Sequence, residues 1–402
     1  MRIGIDGGCL ANRRGFGRFA RQTLNALAEA GGAHEFVVFV DRPSAEAVTL
    51  PEGFRRVVVE VGEAPSIAAS STGRRSLADL FAMGRAVSRA RLDLIYFPAT
   101  YSFFPVWGVE RVVVTMHDTL ALARPELVFP TRAGRFAWAL KEHAAVWLAD
   151  RILTVSESAR RDLLAWFHLP GDRVRVVGEG PDAVFAPRPE GPESDRALQR
   201  RGLVAGSRFF LYVGGLSPHK NLPRLIEAFA RSGLVDDGYR LVLVGDVGDV
   251  FHTHVPELRA AVESLGLGDR VVFTGFVPDD DLVYLYNRAE ALVQPSLMEG
   301  FGLPPVEAMA CGAAVVSSNA GSLPEVVGEA GVYFDPTRVD EIASALRSVA
   351  DQPWLRLELK EKARLRAGRY TWPSAARAML DCFEELDPVR RPSSVSFVKE
   401  SA

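Results

Sequence analysis

Glu299-Gly300-Phe301-Gly302-Leu303-Pro304-Pro305-Val306-Glu307 places two carboxylates eight residues apart around glycine amides and a proline pair. Proline disrupts a helix interior but suits its first turn, so the spacing predicts a helix that starts at this pair and continues through Val306–Ala310. Glu299 then lies on the loop before the helix and Glu307 in its first turns. Uncovered backbone N–H groups at the positive end of a helix dipole attract anions. Carboxylates beside such a site accept hydrogen bonds from hydroxyls. The expected ligand therefore carries both phosphate and sugar hydroxyls.

Outward from this stretch, short β-branched runs recur at 3–5, 36–40, 57–61, 94–97, 112–116, 152–155 and 174–177, then at 209–213, 241–244, 271–273, 291–293 and 313–316. Amphipathic segments of helical length separate most of them. Continuous apolar strands alternating with helices imply parallel sheets covered on both faces. At 402 residues the chain exceeds one ordinary core, so the reading is two successive α/β domains, 1–190 and 200–370. A proline- and glycine-rich stretch near 186–205 serves as the linker. Residues 371–387 form a helix expected to cross back on to the first domain, and the polar tail 388–402 is expected to be disordered. Open sheets of this kind bind ligands outside their strand C-termini.

Composition narrows the function. With 48% hydrophobic and 24% charged residues and a formal net charge of -3, the chain is an ordinary globular protein and no nucleic-acid binder. Cys9, Cys311 and Cys382 lack paired spacing, which gives no zinc or disulfide framework. No run approaches the ~18 apolar residues of a membrane span, and the expected location is the cytoplasm. Trp138 and Trp147, on a helical stretch with Arg132, Arg135 and Lys141, leave peripheral contact with an inner membrane face open, against a core-facing stripe as the default.

Phe209–Val213 followed by Gly214-Gly215-Leu216-Ser217-Pro218-His219-Lys220-Asn221 reads as a buried strand, a glycine turn and a helix start near Asn221. Lys220 there can set its ammonium over a diphosphate; the plainer reading is a solvated lysine beside an N-cap. In the first half, Gly15 and Gly17 sit between Arg14 and Arg18 before a helix, but Ala20 leaves the Gly-x-Gly-x-x-Gly pattern incomplete, which disfavours a dehydrogenase. His117 and Asp118 end the strand 112–116 and point to the cleft. Asp279, Asp280 and Asp281 read as first-turn acids, Asp246 and Asp249 as turn residues, and His252 and His254 lack a third zinc ligand.

Together these segments resemble the family-four retaining glycosyltransferases, from Arg2 to about Leu386. The resemblance rests on Glu299 and Glu307 around Gly-Phe-Gly-Leu-Pro-Pro-Val, on the turn ending at Lys220, and on Val155-Ser156-Glu157-Ser158, Thr115-Met116-His117-Asp118 and Ser322-Leu323-Pro324-Glu325. It implies an α/β GT-B fold: two Rossmann-like doubly wound domains facing across a cleft, with a C-terminal helix crossing back. It also implies a hexosyltransferase that needs neither cofactor nor metal. Glu307 would hold the ribose of a nucleotide-sugar donor. Glu299 and the amides at Gly300, Phe301, Gly302 and Leu303 would meet the sugar, and Lys220 the diphosphate. Gly214 and Gly215 would border the phosphates, Gly15 and Gly17 would close over them, and His117 would line the reaction face. Relatives often carry a second cation where Gly215 or His219 stands, so either His219 becomes protonated or Arg14 or Arg18 reaches across. The Pro-His-Lys-Asn-Leu wording favours GDP-mannose as donor. The acceptor is a glycan, glycolipid or natural product, expected near Arg74, Arg75, Arg85, Arg89, Arg91, Tyr101, Phe103 and Phe104. A nucleotide-sugar epimerase and a non-catalytic nucleotide-sugar-binding protein remain as alternatives.

Overall fold

The structure is a computed structural model that describes residues 1–12, 15–62, 76–246 and 255–387. Arg14, Arg74, Arg75, Asp249, His252, His254 and the tail 388–402 lie outside the described residues. Seven strands form the first sheet: β1 Arg2–Asp6, β2 Glu35–Asp41, β3 Arg55–Val59, β4 Leu94–Phe97, β5 Arg111–Thr115, β6 Arg151–Thr154 and β7 Val174–Val176. Six form the second: β8 Phe209–Val213, β9 Arg240–Val244, β10 Val271–Gly275, β11 Ala291–Gln294, β12 Val315–Ser318 and β13 Gly331–Phe334. The spatial orders are β3-β2-β1-β4-β5-β6-β7 and β10-β9-β8-β11-β12-β13. All pairings are parallel.

Both sheets reverse strand order beside their first strand, between β1 and β4 and between β8 and β11. Loops leaving the strand ends on either side of such a point diverge and open a crevice. The loops after β1, β5, β8 and β11 supply most of the candidate residues. Strand interiors such as Ile3, Ile5, Val113, Val114, Leu211 and Val242 are fully buried, in keeping with helices on both faces.

Two elements depart from the sequence reading. β13 went unread, because its Gly-Val-Tyr-Phe is only four residues long and directly follows the 3-10 turn Gly328–Ala330. The expected linker contains the helix Pro192–Gln199, with Ala197 and Leu198 buried. Its Ser194 and Asp195 engage Arg288 at the end of the helix Asp279–Arg288, so it belongs to the second domain.

The helix Trp372–Glu385 starts at Thr371, whose side chain accepts from Ser374 N, and it packs on the first domain. Trp372 meets Phe19 with ring centroids 5.8 Å apart, and Phe383 meets Tyr96 at 5.4 Å. Glu385 accepts from Arg175. Among the described residues no helix is long and apolar enough to cross a membrane. The two tryptophans do not share a face: nine residues at ~100° each is half a turn off register. Trp138 packs against Phe129 and the cleft, while Trp147 is 82% exposed.

Phe383 is fully buried. Phe383→Ala should cost about 3–5 kcal/mol and lower the melting temperature by several degrees in a thermal scan; an unchanged melting temperature would show that the crossing helix is not integral to the first domain.

Candidate functional site

The predicted helix start is present. Leu303–Ala310 is helical with Pro304 and Pro305 in its first turn, and Gly302 precedes it at φ +100°, a conformation that disfavours any side chain. Pro304 and Pro305 carry no N–H, so the donors at this helix start are the amides from Gly300 to Leu303. Ser322 fastens the loop from behind: its hydroxyl donates to the carbonyls of Glu299 at 3.1 Å and Phe301 at 2.8 Å.

Glu299 and Lys220 meet beside this helix start. Lys220 Nζ donates to Glu299 Oε1 at 2.6 Å, and Gln294 Nε2 and Ser296 Oγ reach the same oxygen at 2.7 Å each. Burial works to raise the Glu299 pKa, but Lys220 prevails and holds the carboxyl below its usual range. Lys220 closes the 3-10 turn Pro218–Lys220. Asn221 does not cap the helix that follows. Its own φ is +60°, and its side-chain amide donates to the carbonyls of Pro295 at 3.1 Å and Pro336 at 2.7 Å, locking the turn to the loops after β11 and β13.

Burial, reinforced by Lys220, pushes the His219 pKa down to about 3, so its protein surroundings alone keep the ring neutral near pH 7. Arg18 does reach across from the first domain, but to carboxylates. It donates to Glu307 Oε1 and, at 2.6 Å, to Asp279 Oδ1. Tyr286 donates to Glu307 Oε2 at 2.9 Å. Burial raises the Glu307 pKa, and Arg18 opposes that shift. Both Glu307 oxygens are thus engaged, one by Arg18 and the other by Tyr286. Of the first-domain glycines, Gly15 lines the cleft. At Gly17 backbone packing itself requires glycine: a Cβ on it would stand 1.8 Å from the Asn12 carbonyl oxygen.

His117 lines the cleft from the opposite side. Its Nε2 lies 3.1 Å from the Pro98 carbonyl, which can only accept, so Nε2 carries a proton. Its Nδ1 lies 3.3 Å from Glu179 Oε1, and Phe16 and Phe19 pack against the ring. Burial raises the Glu179 pKa while His117 lowers it. Both ring nitrogens of His117 thus face protein oxygens while the ring lines the cleft. Glu179 and Glu142 escaped the sequence reading, because β7, the helix Arg132–Leu148 and β5 bring them together only in three dimensions. The aromatic residues expected near the acceptor do not serve: Tyr101, Phe103 and Phe104 are buried in the first-domain core. Arg85, Arg89 and Arg91 are exposed and absent from the cleft wall.

Direct contacts hold the domains in register. Ser156 Oγ donates to Gly300 O at 2.6 Å while accepting from Ala159 N to cap the helix Glu157–Phe167. The Glu325 carboxylate accepts the Glu157 and Ser158 amides at 2.8 Å each, a carboxylate at the positive end of a helix. Gly300 lies against His117 so closely that a Cβ would stand 2.2 Å from the His117 carbonyl oxygen. The cleft between has a volume of about 360 Å³ and is lined by Gly15, His117, Gly214, Gly215, His219, Lys220, Glu299, Gly300, Phe301, Gly302 and Leu303, among others. Lys220 is the one lysine or arginine among the described residues that line it.

Two parallel-sheet domains, each with its switch point on a shared cleft and one presenting Lys220 beside a helix start there, define a GT-B glycosyltransferase architecture. Residues 13–185 match the family described as Glycosyltransferase Family 4, and residues 194–366 match Glycosyl transferases group 1. The O-antigen chain mannosyltransferase B of Escherichia coli is 33% identical over 294 residues, covering 71% of this chain and 73% of that protein. The D-inositol 3-phosphate glycosyltransferase of Acidothermus cellulolyticus is 33% identical over 300 residues, 72% of this chain and 64% of that protein. Sucrose-phosphate synthase from Thermosynechococcus elongatus superposes with a TM-score of 0.75 at 21% identity, covering 96% of this chain and 99% of that one. The chain belongs to the group 1, family-four glycosyltransferases. Its relatives are transferases, which sets aside the epimerase alternative.

Gly300→Ala should wedge the domains apart at His117. Small-angle X-ray scattering should then show a larger radius of gyration than wild type; an identical profile would mean that this contact does not hold the cleft closed.

Proposed function

We propose that this protein transfers a hexose, with retention of configuration and without a metal, from a nucleotide-sugar to a hydroxyl of a glycan acceptor, with GDP-mannose the favoured donor. The observation that carries the reading is the Lys220–Glu299 contact at 2.6 Å beside the Leu303–Ala310 helix start. As the glycosidic bond breaks, negative charge grows on the β-phosphate oxygen of the leaving nucleoside diphosphate. Preorganised amides, a helix terminus and one ammonium stabilise such charge without reorganising. On binding, the diphosphate takes Lys220 partly from Glu299, and the carboxylate turns to the donor sugar's hydroxyls. The acceptor hydroxyl attacks from the phosphate side, and the departing phosphate takes its proton.

The similarity to a mannosyltransferase supports mannose as the transferred sugar, as does the Pro-His-Lys-Asn-Leu turn. The neutral state of His219 leaves the diphosphate to Lys220 and the amides. Glu307 serves the ribose once Arg18 yields it, so Arg18 reports whether the nucleotide is seated.

Lys220→Ala and Glu299→Ala should each lower kcat by ~10²–10³ with an unchanged circular dichroism spectrum; near-wild-type rates in either would place the site elsewhere, and a wild-type protein that binds but never turns over donors would point to a non-catalytic role. EDTA should leave turnover unchanged, and a loss restored by magnesium would overturn the metal-free mechanism. Glu307→Ala should weaken GDP binding in isothermal titration, where an unaltered affinity would contradict its ribose role.

A further inference from the structure

The first-domain wall of the cleft is lined by Phe16, Leu127, Val128 and Trp138 around two carboxyls, Asp118 and Glu142. Glu142 is only 4% exposed. Thr100 Oγ1 donates to its Oε1 at 3.3 Å, while Oε2 has no hydrogen-bond partner. Burial raises the Glu142 pKa, and the neighbouring Trp138 indole and the Lys141 charge oppose that shift; the indole Nε1, like Oε2, makes no hydrogen bond of normal geometry. A buried polar atom without a partner is costly, and a ligand hydroxyl relieves that cost. Lys141, on the same helix, rests its ammonium on one face of the Trp138 ring, 3.5 Å from the centroid, and donates to the Tyr101 carbonyl at 3.2 Å.

We propose that this wall is an acceptor subsite for an uncharged sugar, in which Glu142 Oε2 takes a hydrogen bond from an acceptor hydroxyl and Trp138 backs the ring's apolar face. Aromatic surface beside carboxyl groups suits a pyranose, whose C–H faces are apolar and whose rim consists of hydroxyl donors. A phosphate monoester would instead meet Asp118 and Glu142, with the one lining lysine among the described residues already committed to the donor side. The subsite thereby separates this chain from relatives whose named substrate is an inositol phosphate. The inference rests on the transferase reading for the identity of the cleft, but its test needs no donor.

Saturation-transfer NMR on the full chain should show binding of the methyl glycosides of mannose, glucose, galactose or N-acetylglucosamine, and none of mannose 6-phosphate or inositol 3-phosphate. Glu142→Ala should weaken the neutral-sugar signal about tenfold or more, with GDP affinity and melting temperature unchanged; Glu142→Gln carries the same test should the alanine variant fail to fold. Binding of a phosphorylated sugar as tight as its neutral partner, silence from every neutral glycoside, or a Glu142→Gln response equal to wild type would overturn the proposal. Absent turnover of GDP-mannose alongside neutral-sugar binding would count against the donor assignment alone.

Discussion

A buried ion pair at the mouth of the cleft organises the rest of this molecule. Removing a lysine and a glutamate from water is expensive unless the geometry is good and further hydrogen bonds complete it. Here Gln294 and Ser296 supply those bonds, and Asn221 pins the lysine's turn to the loop that carries the glutamate. Under the proposed function, an incoming diphosphate would compete for the same ammonium and meet the helix amides beside it, exchanging one satisfied ion pair for another without creating a bare buried charge.

One continuous apolar core runs through both domains, and polar groups join them as well. Glu325 receives two helix amides, Ser156 reaches the Gly300 carbonyl, and Arg18 spans to Glu307 and Asp279. Under the proposed function these contacts would couple domain approach to ligand binding, because the carboxylate assigned to ribose is the one that Arg18 holds in this structure.

Local chemistry made much of this legible in the chain. Prolines 304 and 305 can only begin a helix, so the position of Glu299 and Glu307 relative to its start followed from covalent constraint. The β-branched runs marked twelve of the thirteen strands for the same reason, and β13 was lost to its brevity. What could not be read depends on burial and on partners distant in sequence. His219 is neutral because the folded chain desolvates it beside Lys220. Glu142 and Glu179 have no motif of their own, and they join His117 through the packing of separate elements. Glycine serves close approach to a ligand and to neighbouring backbone alike, and at Gly17 the sequence could not reveal the close approach of the Asn12 carbonyl.

The central claim is that Lys220 and the helix start at Gly302 and Leu303 grip a pyrophosphate directly. Phosphorus NMR of GDP titrated into the protein in metal-free buffer tests this at the atoms concerned. The account predicts a displaced β-phosphorus resonance on wild-type protein that returns to its free position with Lys220→Met. An equal displacement in both proteins, or one that emerges only after a divalent cation is added, would contradict it.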